Sequence, residues 1–143
     1  MSDKVDDFVQ EIKDQIFEET KEAFGEAAYQ RWLNPLYKGS VDDPDGYASL
    51  QGRCGDTIEI YLKFNGEQVD KAAFQTDGCG AITVCGSFAA EMAIGKTPEE
   101  ILEITGEAII EKLGGIPKEE AHCASLASET LQEALNNYMI KQT

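Results

Sequence analysis

Positive charge is scarce in this chain: 12 lysines and arginines stand against 27 aspartates and glutamates, a formal net charge of −15. So acidic a molecule repels a phosphate backbone, which argues against nucleic acid and toward a basic partner surface or a cationic payload. Long hydrophobic runs are missing as well, and no stretch approaches the roughly 20 apolar residues of a membrane-spanning helix. The opening Met-Ser-Asp-Lys-Val-Asp-Asp has neither the basic segment nor the apolar core of a secretory signal, and its acids are foreign to a transit peptide. A cytoplasmic setting, where thiols stay reduced, is therefore expected. Histidine occurs once and cysteine four times. Two disulfides would be possible in a secreted protein, but here reduced cysteines that ligate metal or exchange sulfur are the better reading.

What remains is an ordinary globular balance. The chain has 143 residues, 42% apolar and 27% charged, enough for one domain with a core. Residues 4–24 repeat apolar side chains at helical spacing (Val5, Phe8, Val9, Ile12, Ile16, Phe17), with Gly25 as a stop. A shorter helix is expected from Glu26 to Leu33, ended by Asn34-Pro35, and a loop from Tyr37 to Tyr47. Thr57 to Phe64 alternates with period two and is followed by Asn65-Gly66, a hairpin signal, and a return strand from Gln68 to Thr76. Residues 47–52 add a third strand. Ala81 to Ile94 reads as a buried helix, and Thr97-Pro98 caps another that continues to Ile104. Glu107 to Leu113 forms a further helix stopped by Gly114-Gly115, and a last one runs from Ala124 to Met139. Helix, then strands, then helices is an α+β order.

The chemistry lies in three segments: Gly52-Arg53-Cys54-Gly55-Asp56, Gly78-Cys79-Gly80 and Ala121-His122-Cys123. Glycine removes the Cβ that keeps a bulky ligand away from the backbone. Cys54 and Asp56 are placed in the turn between the first two strands. Cys79 and Cys123 are each placed just before a helix, where unpaired N–H groups and the helix dipole favour a thiolate. Three thiols, one carboxylate and one imidazole make a donor set for zinc or iron. Each residue alone has a plainer reading: a lone cysteine is often a small core residue, Asp56 a turn residue, His122 a capping or partly buried ring. Their association favours a common site. Cys85, inside the apolar helix, is assigned to the core, and Trp32 and Tyr29 to packing.

These residues carry a family resemblance. The chain resembles the IscU/NifU-type iron–sulfur cluster assembly scaffolds in Cys54-Gly-Asp56, Gly78-Cys79-Gly80 and His122-Cys123, in Gly95-Lys96 followed by Thr-Pro-Glu-Glu, and in Trp32-Leu-Asn34-Pro35 followed by Gly39. The resemblance implies a three-stranded antiparallel sheet packed by helices (SufE/NifU-like) over residues 24–143, with residues 1–23 as an added N-terminal helix. It implies a scaffold, not an enzyme, that accepts sulfur from a cysteine desulfurase, assembles a transient [2Fe–2S] cluster and hands it to cluster carriers or apo iron–sulfur proteins. On that pattern Cys54, Cys79 and Cys123 are cluster cysteines, Asp56 the aspartate linked to lability and His122 the neighbouring ligand. Cys123 is then the first sulfur acceptor, and Zn²⁺ an occupant of the same site.

Three departures from the pattern stand out. Where bacterial members carry Leu-Pro-Pro-Val-Lys for a specialised Hsp70, this chain has Ile116-Pro117-Lys118-Glu119-Glu120, with acid in place of the lysine; this puts that handoff in question. Cys85 replaces a small residue. Residues 1–23 are extra, as a cover for a core edge or a helix for homo-oligomer formation. The competing class is a SufU-type zinc sulfurtransferase, with Zn²⁺ in Cys54, Asp56, Cys79 and Cys123 and persulfide relayed without a cluster. That branch carries an insertion between the second and third cysteines and no histidine before the last, unlike this chain. A structural zinc domain is a third reading, and it predicts unfolding on chelation.

Overall fold

The computed structural model describes residues 25–53, 55–78 and 80–142. The helix expected over residues 4–24 lies outside them. The elements are α1 (25–33), β1 (Gly46–Gln51), β2 (Thr57–Asn65), β3 (Gln68–Thr76), α2 (Ala81–Ala93), α3 (Pro98–Ile101), α4 (Gly106–Leu113), a 3-10 turn (Lys118–Glu120) and α5 (Ala121–Gln142).

Period-two patterning sets the sheet. The strands pair antiparallel in the order β1-β2-β3, with Tyr47 opposite Tyr61 and Ile60 opposite Phe74. Ile58, Ile60, Leu62 and Phe74 are fully buried on one face, while Glu59, Tyr61 and Lys63 point to the other. Each buried aliphatic or aromatic side chain contributes about 1.5–3 kcal/mol of transfer free energy, which fixes the register against a one-residue slip. Helices α2 and α5 cover this face. Every residue of α2 except Glu91 and Met92 is buried, as expected of a helix that is apolar all round. On α5, Ala124, Ala127, Leu131, Ala134 and Leu135 face inward.

Polar side chains tie the helices together. Arg31 on α1 donates to Ser87 Oγ at 3.1 Å and to Glu91 at 2.9 Å, and lies over the Phe88 ring at 4.0 Å. Ser87 in turn donates to the carbonyl of Leu36. The expected cap of α3 is present as a reciprocal box between Thr97 and Glu100. The expected loop from Tyr37 includes a short pairing with β3: Gly39 N–H donates to Phe74 O and Phe74 N–H to Tyr37 O. This contact covers part of a sheet edge that would otherwise offer unpaired backbone groups.

Three boundaries differ from the sequence reading, one of them the end of α5, which runs to Gln142 and not to Met139. Helix α3 ends at Ile101 and not at Ile104. Ser128 and Gln132 on α5 donate to the carbonyls of Ile104 and Ile101, and Thr105 caps α4 through Ala108 N–H. Tertiary partners and a competing cap thus outweigh continuation of a short helix. Helix α5 begins at Ala121, not near Ala124. The 3-10 turn closes with Glu120 N–H on Pro117 O and runs directly into α5, because Ala121 already has helical dihedrals. Cys123 therefore lies inside the first turn of α5 instead of before it.

Candidate metal centre

The loop between β1 and β2 is strapped in place. Gly52 N–H donates to Asp56 O at 2.8 Å, Gly55 N–H to Gly52 O at 3.0 Å, and Gln51 Nε2 to Gly55 O at 3.0 Å. The β3–α2 loop is held in the same manner. Asp77 accepts from Thr57 N–H at 2.7 Å, Gly78 N–H donates to Thr76 Oγ1 at 3.0 Å, and Thr76 Oγ1 donates to Thr57 O at 2.6 Å. These bonds fix the backbone of both loops, on either side of position 54 and next to position 79.

The two loops meet. A Cβ built on Gly78 would fall 2.8 Å from Asp56 Cγ, 2.9 Å from Asp56 Oδ2 and 2.6 Å from Ile82 Cγ2. Such distances leave no room for any side chain, so glycine at 78 lets the Asp56 carboxylate lie against the backbone next to position 79. On the opposite wall stands the first turn of α5. One narrow cleft is lined by Gly52, Asp56, Ile82, His122, Cys123 and Leu126. Of the five residues singled out from sequence, Asp56, His122 and Cys123 therefore share one cleft. Cys54 and Cys79 lie outside the described residues.

Cys123 is 7% exposed, with His122 and Asp56 half-buried beside it. Its Sγ lies 3.7 Å from His122 Nε2 and 3.7 Å from Glu120 Oε2, toward which the thiol donates. The donor atoms of Glu120, His122 and Cys123 all fall within 4.8 Å of one another. Sulfur, imidazole nitrogen and carboxylate oxygen are the donors that suit zinc and iron. Glu120 was not foreseen as a donor. Its signal was its spacing: three residues before Cys123, one helical turn away on the same face.

At α2, the cap residue Gly80 supplies no side-chain hydrogen bond and the first turn has no acid. The positive end of this helix is thus left for a negative group of the loop that precedes it. Cys85 lies within α2, fully buried, as the sequence reading placed it. Burial pushes its thiol pKa well up, and the nearby Cys123 and Glu120 add to the rise. A thiol held protonated in this way is a poor nucleophile and a poor ligand.

A family model described as the NifU-like N terminal domain matches residues 23–143. The iron-sulfur cluster assembly scaffold protein IscU 1 of Archaeoglobus fulgidus is 39% identical over 119 residues, which is 82% of this chain and 78% of that protein. The iron-sulfur cluster assembly scaffold protein IscU of Aquifex aeolicus is 34% identical over 122 residues, 83% of this chain and 78% of that one. Among solved structures, an N-terminal NifU-like protein from Brucella abortus superposes with a TM-score of 0.67, at 19% identity, covering 85% of this chain and 97% of its own. This last likeness is one of fold: the same three-stranded antiparallel sheet packed by helices.

Proposed function

The chain belongs to the NifU-like N-terminal domain family, and from that premise we propose that it is a scaffold for iron–sulfur cluster assembly. A labile [2Fe–2S] cluster is its cargo, built with sulfur from a cysteine desulfurase and passed to cluster carriers or apo iron–sulfur proteins. The protein acts as a carrier, not a catalyst, in a compartment that keeps its thiols reduced. The observation that supports this most is the meeting of Asp56 with His122 and Cys123, residues far apart in sequence, in one cleft against the backbone of Gly78.

Each donor has a role that follows from its chemistry. The Cys123 thiolate attacks the outer sulfur of a desulfurase persulfide; a Cys123 persulfide forms and the desulfurase thiolate leaves. The proton the thiol gives up passes to Glu120, toward which the thiol donates, or to His122, 3.7 Å from the same sulfur. Cys54, Cys79 and Cys123 supply soft thiolates for iron. Asp56 supplies a harder oxygen that binds iron of a sulfide cluster less firmly, so the cargo can leave. Zn²⁺ suits the same donors and is a resting occupant. The surplus of acid fits a basic docking surface on the desulfurase.

Anaerobic incubation with ferrous iron, cysteine, a thiol reductant and a cysteine desulfurase tests the reading. The expected result is visible sulfide-to-iron charge-transfer absorption, which moves to an apo-ferredoxin added afterwards. Protein that keeps zinc, gains no such absorption and still accepts persulfide sulfur is a sulfur relay instead.

A further inference from the structure

We propose that Glu120 is a metal ligand, and that Glu120, His122 and Cys123 form a three-donor half-site for a single divalent ion of the Zn²⁺ or Fe²⁺ type. This half-site needs none of Cys54, Asp56 and Cys79. The inference deepens the reading of the cleft given above, but it concerns a mononuclear ion and not the cluster.

The geometry carries the argument. A tetrahedral metal about 2.3 Å from sulfur and about 2.0–2.1 Å from nitrogen or oxygen separates those donors by about 3.6 Å. The two edges that meet at Cys123 Sγ, to Glu120 Oε2 and to His122 Nε2, are each 3.7 Å. The third edge lies within the 4.8 Å that spans the whole set. The two edges at sulfur thus stand almost at coordination spacing already, while the His122–Glu120 edge, about 3.3 Å in a tetrahedral site, closes by side-chain rotation; a metal replaces the thiol proton that now faces the carboxylate.

The backbone explains how donors so close in sequence converge. Glu120 ends the 3-10 turn and Cys123 lies one turn on in α5, so the two side chains stack on one face. His122 reaches the same sulfur from the adjacent position. All three are carried on one continuous piece of helix whose register is set by buried Ala124, Ala127 and Leu131. The half-site is therefore carried on a packed helix, whereas Asp56 reaches the same cleft from the β1–β2 loop. The carboxylate also supplies a negative charge for a divalent cation that a neutral side chain could not.

The test uses metal binding alone, with neither sulfide nor desulfurase present. Zn²⁺ affinity is measured by competition with a chromophoric chelator, and Co²⁺ serves as the spectroscopic probe. Glu120→Gln, which keeps the shape and removes the charge, is expected to raise the Kd at least about tenfold and to change the Co²⁺ d–d bands. Glu67→Gln, at the exposed β2–β3 hairpin, removes the same charge far from the cleft and is expected to leave the Kd within twofold. The combined variant Cys54→Ser/Asp56→Ala/Cys79→Ser is expected to stay folded by circular dichroism and to bind one Co²⁺ with a single thiolate charge-transfer band. That band disappears when Glu120→Gln is added. An unchanged Kd and unchanged Co²⁺ spectrum in Glu120→Gln would overturn the proposal, as would a folded combined variant that binds no metal. Failure of cluster assembly in the wild type bears on the scaffold reading and leaves this measurement intact.

Discussion

Adding one methyl group to Gly78 should disturb the candidate site more than it disturbs the fold. An alanine Cβ there meets Asp56 Cγ at 2.8 Å, Asp56 Oδ2 at 2.9 Å and Ile82 Cγ2 at 2.6 Å. Gly78 is not among the glycines held at positive φ, so alanine brings no backbone strain and acts only through this clash. Overpacking of this kind costs about 1–3 kcal/mol. Ile82 is 1% exposed and locked in the core, whereas Asp56 is half-buried at a cleft. The cheaper relaxation is displacement of the carboxylate, so the stability loss should fall near the lower end, about 1 kcal/mol, with Asp56 driven off the metal. Gly80→Ala is the comparison. Gly80 has φ 64° and ψ −122°, a glycine-dominated conformation outside the left-handed α well, with nothing within 4 Å of its built Cβ, so alanine there brings about 1–3 kcal/mol of backbone strain and no clash. Urea unfolding should show both variants destabilised, Gly80→Ala at least as much as Gly78→Ala. Zn²⁺ competition should show Gly78→Ala weakened as strongly as Asp56→Ala, with Gly80→Ala affected less. Wild-type metal affinity in a destabilised Gly78→Ala would refute the placement of Asp56 against the 78–79 backbone.

Asp56→Ala should lengthen the life of a reconstituted cluster and slow its transfer to an apo-ferredoxin, because the weaker oxygen donor is gone; an unchanged transfer rate would remove Asp56 from the release step. Cys85 gives a pH prediction for the metal-free protein. Its folded-state pKa is raised chiefly by burial, so the stability it contributes is complete below the unfolded thiol's value and is lost as pH rises above it. Stability should therefore fall above about pH 8.5, by up to about 1.4 kcal/mol per pH unit for this one proton. Cys85→Ala should flatten the slope between about pH 9 and about pH 10, above which the tyrosines of the unfolded chain ionise as well. An identical pH profile in the variant would contradict the burial argument.

The sheet was legible because its signals are local and reinforce one another. Ile58, Ile60 and Leu62 alternate with Glu59, Tyr61 and Lys63, and Asn65-Gly66 then turns the chain. The cap at Thr97-Pro98 was legible for the same reason. The end of α3 was not, because Ser128 and Gln132 approach it from α5, far along the sequence. Nor was the start of α5: Pro117 suggests a break, but a proline is well suited to open the 3-10 turn that feeds a helix. At the site, residue types and glycine flanks singled out Asp56, His122 and Cys123, and these share a cleft. Glu120 escaped notice because an acid in an acidic chain carries little information until its distance to a thiol is known.

On the proposed reading, sulfurs from three separate segments hold one payload while the fourth thiol stays in the core. Anaerobic cluster reconstitution of the single variants Cys54→Ser, Cys79→Ser, Cys123→Ser and Cys85→Ser, followed by iron and sulfide analysis, tests it most directly. Each of the first three is expected to lose or sharply weaken the cluster, and Cys85→Ser to keep it. A full wild-type cluster in any of the first three, or its loss in a folded Cys85→Ser, would contradict it.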